Sequence, residues 1–319
     1  MHRVGISDCD HEALEEEKAV FEKNGIAFVL HQCRTEDELI RELQEYEVIG
    51  NQYAPLTEKV FRGLPRLKCV VRYGVGVDNI ELEAATRHGV KICNVPDYGV
   101  QEVAGHAAAF MLALSRKIVP MNSGVKRGRW NYEASIPITR FNRMVVGIIG
   151  LGRIGKCFAG IVRGLDCRII AYDSKDKGCS GKIIDNYIEV VSFPRLLKTA
   201  DVVSVHTPLE SSRGLIGEKE LRLMKTTAYL INVSRGGIID EEALEKALAN
   251  KWIAGAACDV FEKEPPAGTP LFKHENFIAT PHMAWYSEQA SRELKTKLAE
   301  EMTRACYGLP LKYQLNWPV

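Results

Sequence analysis

The sequence predicts an α/β protein built from two doubly wound parallel-sheet domains. Three observations carry this. Strand-like and helix-like runs alternate along almost the whole chain. The first third alone holds a complete set of them, and a glycine-rich turn near residue 150 opens a second set. At 319 residues the chain is long enough for two cores.

Taken in order, short apolar runs predict strands at 4–7, 27–30, 48–50, 67–72 and 90–95, with helices at 11–24, 36–43 and 82–88. Residues 101–116 then read as a long Ala-rich helix, apolar on most faces. Such a helix is buried, here between domains and between subunits, so a homodimer is expected. The second set follows with strands at 145–149, 168–173, 201–206, 228–232, 253–259 and 277–280. Its helices fall at 154–164, 193–199 and 241–250, and a last helix at 287–307 is long enough to return to the first domain.

The segment from Val145 to Asp173 is the most informative. Gly150, Gly152 and Gly155 form GxGxxG between a strand and a helix. Asp173 ends the next strand, 18 residues past Gly155. Strand, glycine turn, helix and acid in that register describe a dinucleotide site. The glycines let a pyrophosphate approach the amides of a helix N-terminus. A carboxylate at 173 accepts from ribose hydroxyls and repels a 2′-phosphate, which favours NAD over NADP. Lys175 offsets that repulsion only weakly.

The bulk numbers exclude several classes. Apolar content of 46% and charged content of 26% are those of an ordinary globular protein. A formal net charge of +1 with no long basic run argues against nucleic acid. No apolar stretch is long enough to span a membrane, and the N-terminus does not resemble a signal peptide. The nine cysteines are scattered, without CxxC or zinc-ligand spacing, so no metal site is expected and a reducing, cytoplasmic location is.

Three segments after strands of the second set bring Arg235, Glu264 and His282 to strand ends, the edge where open α/β sheets bind ligands. Taken singly, each is an ordinary loop residue. Together they suit hydride transfer to a 2-oxo acid. A guanidinium fork holds carboxylate and carbonyl. A histidine exchanges the proton, and a neighbouring carboxylate favours its charged form.

The sequence resembles the D-isomer-specific 2-hydroxyacid dehydrogenases over nearly its whole length. The resemblance rests on residues 72–80, on 94–96, on GLGRIG at 150–155 and on His206-Thr207-Pro208-Leu209. It also rests on NVSRGG at 232–237, DVFEKEPP at 259–266 and Thr280-Pro281-His282. It implies a Rossmann NAD domain (98–285) inserted into a flavodoxin-like substrate domain (1–97 and 286–319), with Arg235, Glu264 and His282 as the catalytic set. It further implies that Arg153, Ile154, His206, Thr207, Val233 and Ser234 line the cofactor and that Asp259 faces the nicotinamide. The substrate carboxylate falls to Gly74, Val75 and Gly76 with Arg72 nearby. Residues 280–291 are similar to the C-terminal binding protein branch, which implies that Trp285 caps the substrate pocket. Gly105 departs from the family's acidic residue before the helix histidine, and Cys258 from an apolar one.

The expected function is therefore an NAD-dependent oxidoreductase acting on a small 2-oxo or 2-hydroxy acid, such as hydroxypyruvate, phosphoglycerate or glyoxylate. The rival is an NAD(H)-gated, corepressor-like binding protein with little catalysis. A third reading keeps the fold and takes formate or phosphite as hydride donor.

Overall fold

The computed structural model describes all residues except 1, 12, 177–180 and 319, so Cys179 lies outside the described residues. The chain divides into two compact units, Met1–Gly99 with Ser287–Val319, and Val100–Tyr286.

Unit 1 runs β1 (His2–Ile6), α1 (Glu15–Lys23), β2 (Ile26–Leu30), α2 (Glu36–Glu42), β3 (Val48–Asn51), α3 (Glu58–Gly63), β4 (Cys69–Arg72), α4 (Leu82–Arg87) and β5 (Lys91–Cys93). The five strands pair in parallel in the order β2-β1-β3-β4-β5, a flavodoxin-like winding. Ile49, Val70 and Ile92 are fully buried at its centre. The C-terminal helix, Glu288–Cys306, returns to this sheet and buries Ala290, Leu294, Leu298 and Met302. Ser287 caps it, its hydroxyl accepting from Ala290 N at 2.9 Å.

Unit 2 runs α5 (Val100–Ser115), α6 (Ile118–Lys126), β6 (Val145–Ile149), α7 (Arg153–Arg163), β7 (Arg168–Tyr172), β8 (Ile183–Ile184), β9 (Ile188–Val190), α8 (Phe193–Thr199), β10 (Val202–Val205), α9 (Glu218–Leu223), β11 (Tyr229–Asn232), α10 (Glu241–Ala249), β12 (Gly255–Cys258) and β13 (Phe277–Ala279). Its sheet order is β13-β12-β11-β10-β6-β7-β9-β8, parallel except for the β8–β9 hairpin. The winding reverses between β6 and β10, the position of the dinucleotide crevice in a Rossmann sheet. Val146, Ile148, Val203 and Val205 are all fully buried, as strands covered on both faces must be.

Differences from the sequence reading have local causes. The first helix begins at Glu15 rather than 11. Helices α3, α6 and α9 and the β8–β9 hairpin were not anticipated. Each is short, and α6 contains Pro120 and Gly124, which read as breakers. Pro120 falls in the first turn, where no intrahelical N–H is needed. Helix α5 packs inside its own unit: Ala104, Ala107 and Met111 join a core with Phe158 and Ala159 of α7 and Ile231 of β11. Small residues there let two helices and a sheet approach closely. Its apolar character is thus explained largely within unit 2.

Candidate active site

The glycine turn sits at the β6/β10 crevice. Gly150 has φ +94°, and an added Cβ would lie 2.5 Å from the His206 carbonyl oxygen. A Cβ on Gly155 would lie 2.0 Å from the Gly150 carbonyl oxygen, so the turn closes only with glycine at both positions. Helix α7 follows Gly152 at its N-cap, with no side-chain cap and no acid in its first turn. By contrast α2, α10 and the C-terminal helix are capped by Thr35, Asp240 and Ser287. Uncapped amides at a helix N-terminus can receive an anion, and here they lie beside the glycine turn. Arg153 and Ile154 form that first turn.

Asp173 uses one carboxylate oxygen to accept from Leu151 N at 2.8 Å and the other from Lys175 N at 2.9 Å. It shapes the glycine loop and keeps lone pairs for a ribose. His206 Nε2 lies 2.9 Å from Ser204 Oγ. Burial pushes the His206 imidazole down to about 3, so the ring is neutral. Its Nδ1 and the adjacent Thr207 Oγ1 are buried without a hydrogen-bond partner among the described residues. Two orphaned polar atoms beside a glycine cradle fit a dinucleotide that supplies the missing partners.

The loops after β11 and β12 interlock. Asn232 donates to the Arg235 carbonyl at 2.8 Å and accepts from Ser234 N at 3.0 Å. The Ser234 hydroxyl donates to Val205 O at 2.8 Å, and Arg235 Nη1 donates to Ser234 O at 2.8 Å. Val233 is buried beneath them. A Cβ on Gly236 would come within 2.0 Å of the Phe261 backbone, so the Arg235 and Glu264 loops touch main chain to main chain. Glu264 Oε1 accepts from Phe261 N at 2.9 Å, while Oε2 lies 2.6 Å from His282 Nδ1. Burial works to raise the Glu264 carboxyl, but the bonds from His282 and the Phe261 amide outweigh it, and it stays below the usual carboxylate range.

His282 has φ +51°, uncommon for a non-glycine residue. Asp259, 1% exposed, holds it there. The Asp259 carboxylate accepts from Met283 N at 2.9 Å, from Ala284 N at 2.8 Å and from the Thr280 hydroxyl at 2.5 Å. His282 N donates to the Asp259 and Thr280 carbonyls at 2.9 and 3.1 Å. The carboxylate expected to face the nicotinamide is engaged in folding the histidine turn. His106 Nε2 lies 3.0 Å from Thr280 Oγ1, a contact from α5 that spacing alone did not suggest. Trp285 meets Tyr286 edge-on, with ring centroids 5.5 Å apart.

In unit 1, the loop after β4 is built on close approach. A Cβ on Gly74 would lie 2.1 Å from Arg72 Nη1, so the guanidinium lies against the bare Gly74 backbone. Asn94 Nδ2 donates to Val75 O at 2.7 Å and Val95 N to Gly74 O at 3.0 Å, which clamp the loop that continues through Gly76. Asn94 was part of a recognised segment, but its clamping role becomes visible only here.

Among the described residues no cluster of three or more His, Cys, Asp or Glu could hold a metal ion, and no helix is long and apolar enough to cross a membrane.

Fold and site together define an α/β dinucleotide-dependent protein with an Arg–Glu–His set at its strand ends. The profile of the D-isomer specific 2-hydroxyacid dehydrogenase NAD binding domain matches residues 108–284, more than half of the chain. A glyoxylate reductase of Korarchaeum cryptofilum is 40% identical over 77% of this chain and 74% of its own. A D-3-phosphoglycerate dehydrogenase of Archaeoglobus fulgidus is 36% identical over 93% of this chain and 56% of its own. The chain spans about half the length of the phosphoglycerate dehydrogenases it matches. A D-lactate dehydrogenase from Aquifex aeolicus, solved with NAD and lactic acid, has a TM-score of 0.84 at 26% identity, covering 96% of both chains. The protein belongs to the D-isomer specific 2-hydroxyacid dehydrogenase family, and unit 2 carries its NAD-binding domain.

Proposed function

We propose that this protein is an NAD-dependent oxidoreductase that interconverts a small 2-oxo acid and the corresponding D-2-hydroxy acid. The observation that carries the reading is the 2.6 Å contact between His282 Nδ1 and Glu264 Oε2, on a loop locked to that of Arg235. When bound, the nicotinamide supplies or accepts the hydride at C2. The chain's own residues do the rest. Arg235 fixes the carboxylate and carbonyl, so the carbon presents one face. Glu264 takes the Nδ1–H of His282, leaving Nε2 to give a proton to the carbonyl oxygen, or to remove one in the oxidative direction. Within unit 1, Arg72 with the amides of Gly74, Val75 and Gly76 is suited to receive a carboxylate; within unit 2, Trp285 follows the His282 turn as a pocket cap. Gly150, Gly152, Arg153, Ile154, Gly155, Asp173, His206, Thr207, Val233 and Ser234 hold NAD, with Asp259 positioning the histidine turn beside it.

A homodimer is part of this reading. Ile118, Val119 and Val125 on α6, then Trp130, Tyr132 and Ile136, form an exposed apolar run that a second copy would cover. The free state of the eight described cysteines supports a reducing compartment such as the cytoplasm. Kinship with the C-terminal binding protein branch is supported by residues 280–291 alone.

The test is NADH oxidation with glyoxylate, hydroxypyruvate, pyruvate, 2-oxoglutarate and phenylpyruvate, beside a cofactor titration. Turnover with at least one acid, lost by about 10²-fold or more in Arg235→Ala, is the expected result. Tight NADH binding with no turnover on any acid would favour the cofactor-gated binding protein instead.

A further inference from the structure

The loop that carries Glu264 is gripped from a second direction. Asp240 caps helix α10, its carboxylate accepting from Ala243 N at 3.0 Å, and this makes Glu241 the first residue of the helix. With the cap supplied by Asp240, the Glu241 side chain turns to the neighbouring loop, where its Oε1 accepts from Glu262 N at 2.5 Å. The main chain at Phe261–Glu262 is thereby held at three points. Gly236 packs against it so closely that a Cβ would fall 2.0 Å from Phe261 C and 2.3 Å from Glu262 N. Glu264 Oε1 accepts from Phe261 N at 2.9 Å. Glu241 takes the next N–H along.

The connection is a cross-brace. The segment that carries Arg235 runs on through Asp240, whose N donates to Ile216 O at 2.9 Å, and enters α10 at Glu241. One stretch of chain thus supplies the Arg235 guanidinium and the carboxylate that grips the loop of Glu264. The position is unfavourable for a charge. Burial raises the Glu241 pKa and the like charges of Glu262, Glu264 and Asp240 push the same way, while the Glu262 amide pulls it down. That amide is the contact that favours an ionised carboxyl at this place.

We propose that Glu241 is a positioning residue for the proton-transfer pair: through the Glu262 amide it fixes the loop that sets the Glu264 carboxylate on His282 Nδ1. The inference rests on the functional reading above and goes beyond it, adding a residue that touches neither substrate nor cofactor. With both amides bonded, Glu264 Oε2 stands 2.6 Å from His282 Nδ1. Without Glu241 the loop keeps only the glycine contact and its internal bond. The carboxylate then loses its fixed distance to the imidazole, on which the orientation of Nε2 depends.

The experiment measures NADH oxidation, with the panel acid turned over fastest, in wild type, Glu241→Ala, Glu241→Gln, Glu264→Gln and Glu241→Ala/Glu264→Gln. Glu241→Ala should lower kcat by about tenfold while the KM for NADH stays within about twofold. Glu241→Gln keeps an oxygen that accepts from the Glu262 amide and should recover most of the rate. In the Glu264→Gln background the alanine change should cost under about twofold, because the two residues act through one contact. Hydrogen exchange at the Glu262 amide should speed up by about tenfold in Glu241→Ala and stay near wild type in Glu241→Gln. A wild-type kcat in Glu241→Ala, equal losses in both Glu264 backgrounds, or unchanged exchange overturns the brace and leaves the general reading intact. A wild type that turns over no acid overturns that reading, and exchange at Glu262 then decides the brace by itself.

Discussion

Each unit places a buried aspartate just past a strand and uses it to gather backbone amides. In unit 1, Asp8 accepts from the amides of Gln52, Tyr53 and Ala54 at 3.2, 2.6 and 3.1 Å. In unit 2, Asp259 accepts from the amides of Met283 and Ala284 and from the Thr280 hydroxyl. The chemistry is the same, a carboxylate satisfying donors that would otherwise be buried unpaired. The consequences differ. Asp8 ties together two loops in ordinary conformations, and the side chains it presents, Gln52 and Tyr53, both bond to Asp10. Asp259 holds a histidine at positive φ, a conformation that costs of order 1–3 kcal/mol unless the surroundings impose it. Loss of the first device should therefore show mainly as stability, and loss of the second mainly as rate.

The largest effect is expected at the histidine turn. His282→Ala should lower kcat by about 10²–10⁴. Asp259→Asn should come close to it, although Asp259 acts through the turn rather than on the substrate; steady-state NADH oxidation measures both. Asp8→Asn should instead destabilise unit 1 by about 1–3 kcal/mol in urea unfolding, because one or more amides lose their acceptor. A kcat loss at Asp8 as large as that at Asp259 would break the comparison.

Titration sharpens it further. His206 has a folded pKa of about 3, below the ordinary value of 6.5, so the unfolded chain takes up protons first. Stability is thus expected to fall as pH drops from about 6.5 towards 3. His206→Asn should flatten that slope in urea midpoints measured at pH 7 and pH 5; an unchanged slope would mean that other groups carry it.

The smallest effect belongs to the exposed part of the pair. Glu264 has its folded pKa depressed, so its contribution is full above the ordinary carboxylate range and is lost as pH falls through the lowered value. Glu264→Gln should cost under about 1 kcal/mol at pH 7, since the pair is partly solvated. Wild type and variant should converge as pH falls through that lowered value. A gap that persists once the carboxyl is protonated would show that Glu264 acts by packing rather than by charge.

Much of this was legible along the chain. Val145–Ile149 reads as a buried strand because β-branched residues fill both faces of a parallel sheet, and the helix at 193–199 was placed to the residue. Glu264 and His282 were singled out by type and strand-end position, and the structure sets them 2.6 Å apart. What stayed hidden was short or long-range. Helix α6 carries Pro120 and Gly124, and a linear reading does not know which turn a proline will occupy. The Asp8 network was invisible because Asp8 and Ala54 are 46 residues apart and meet only across a strand crossover.

The sequence by itself determined the alternation of elements, the dinucleotide turn and the identity of the strand-end side chains. Local propensity, period and chain connectivity control these, and all act over a few residues. The tertiary structure alone decided what each buried polar group does: that Asp259 folds a turn, that α5 packs within its own unit, and that Asp10 meets Gln52 and Tyr53. Those outcomes depend on which donors reach a carboxylate once water is excluded, and only the packed sheet brings them within 3 Å or so of it.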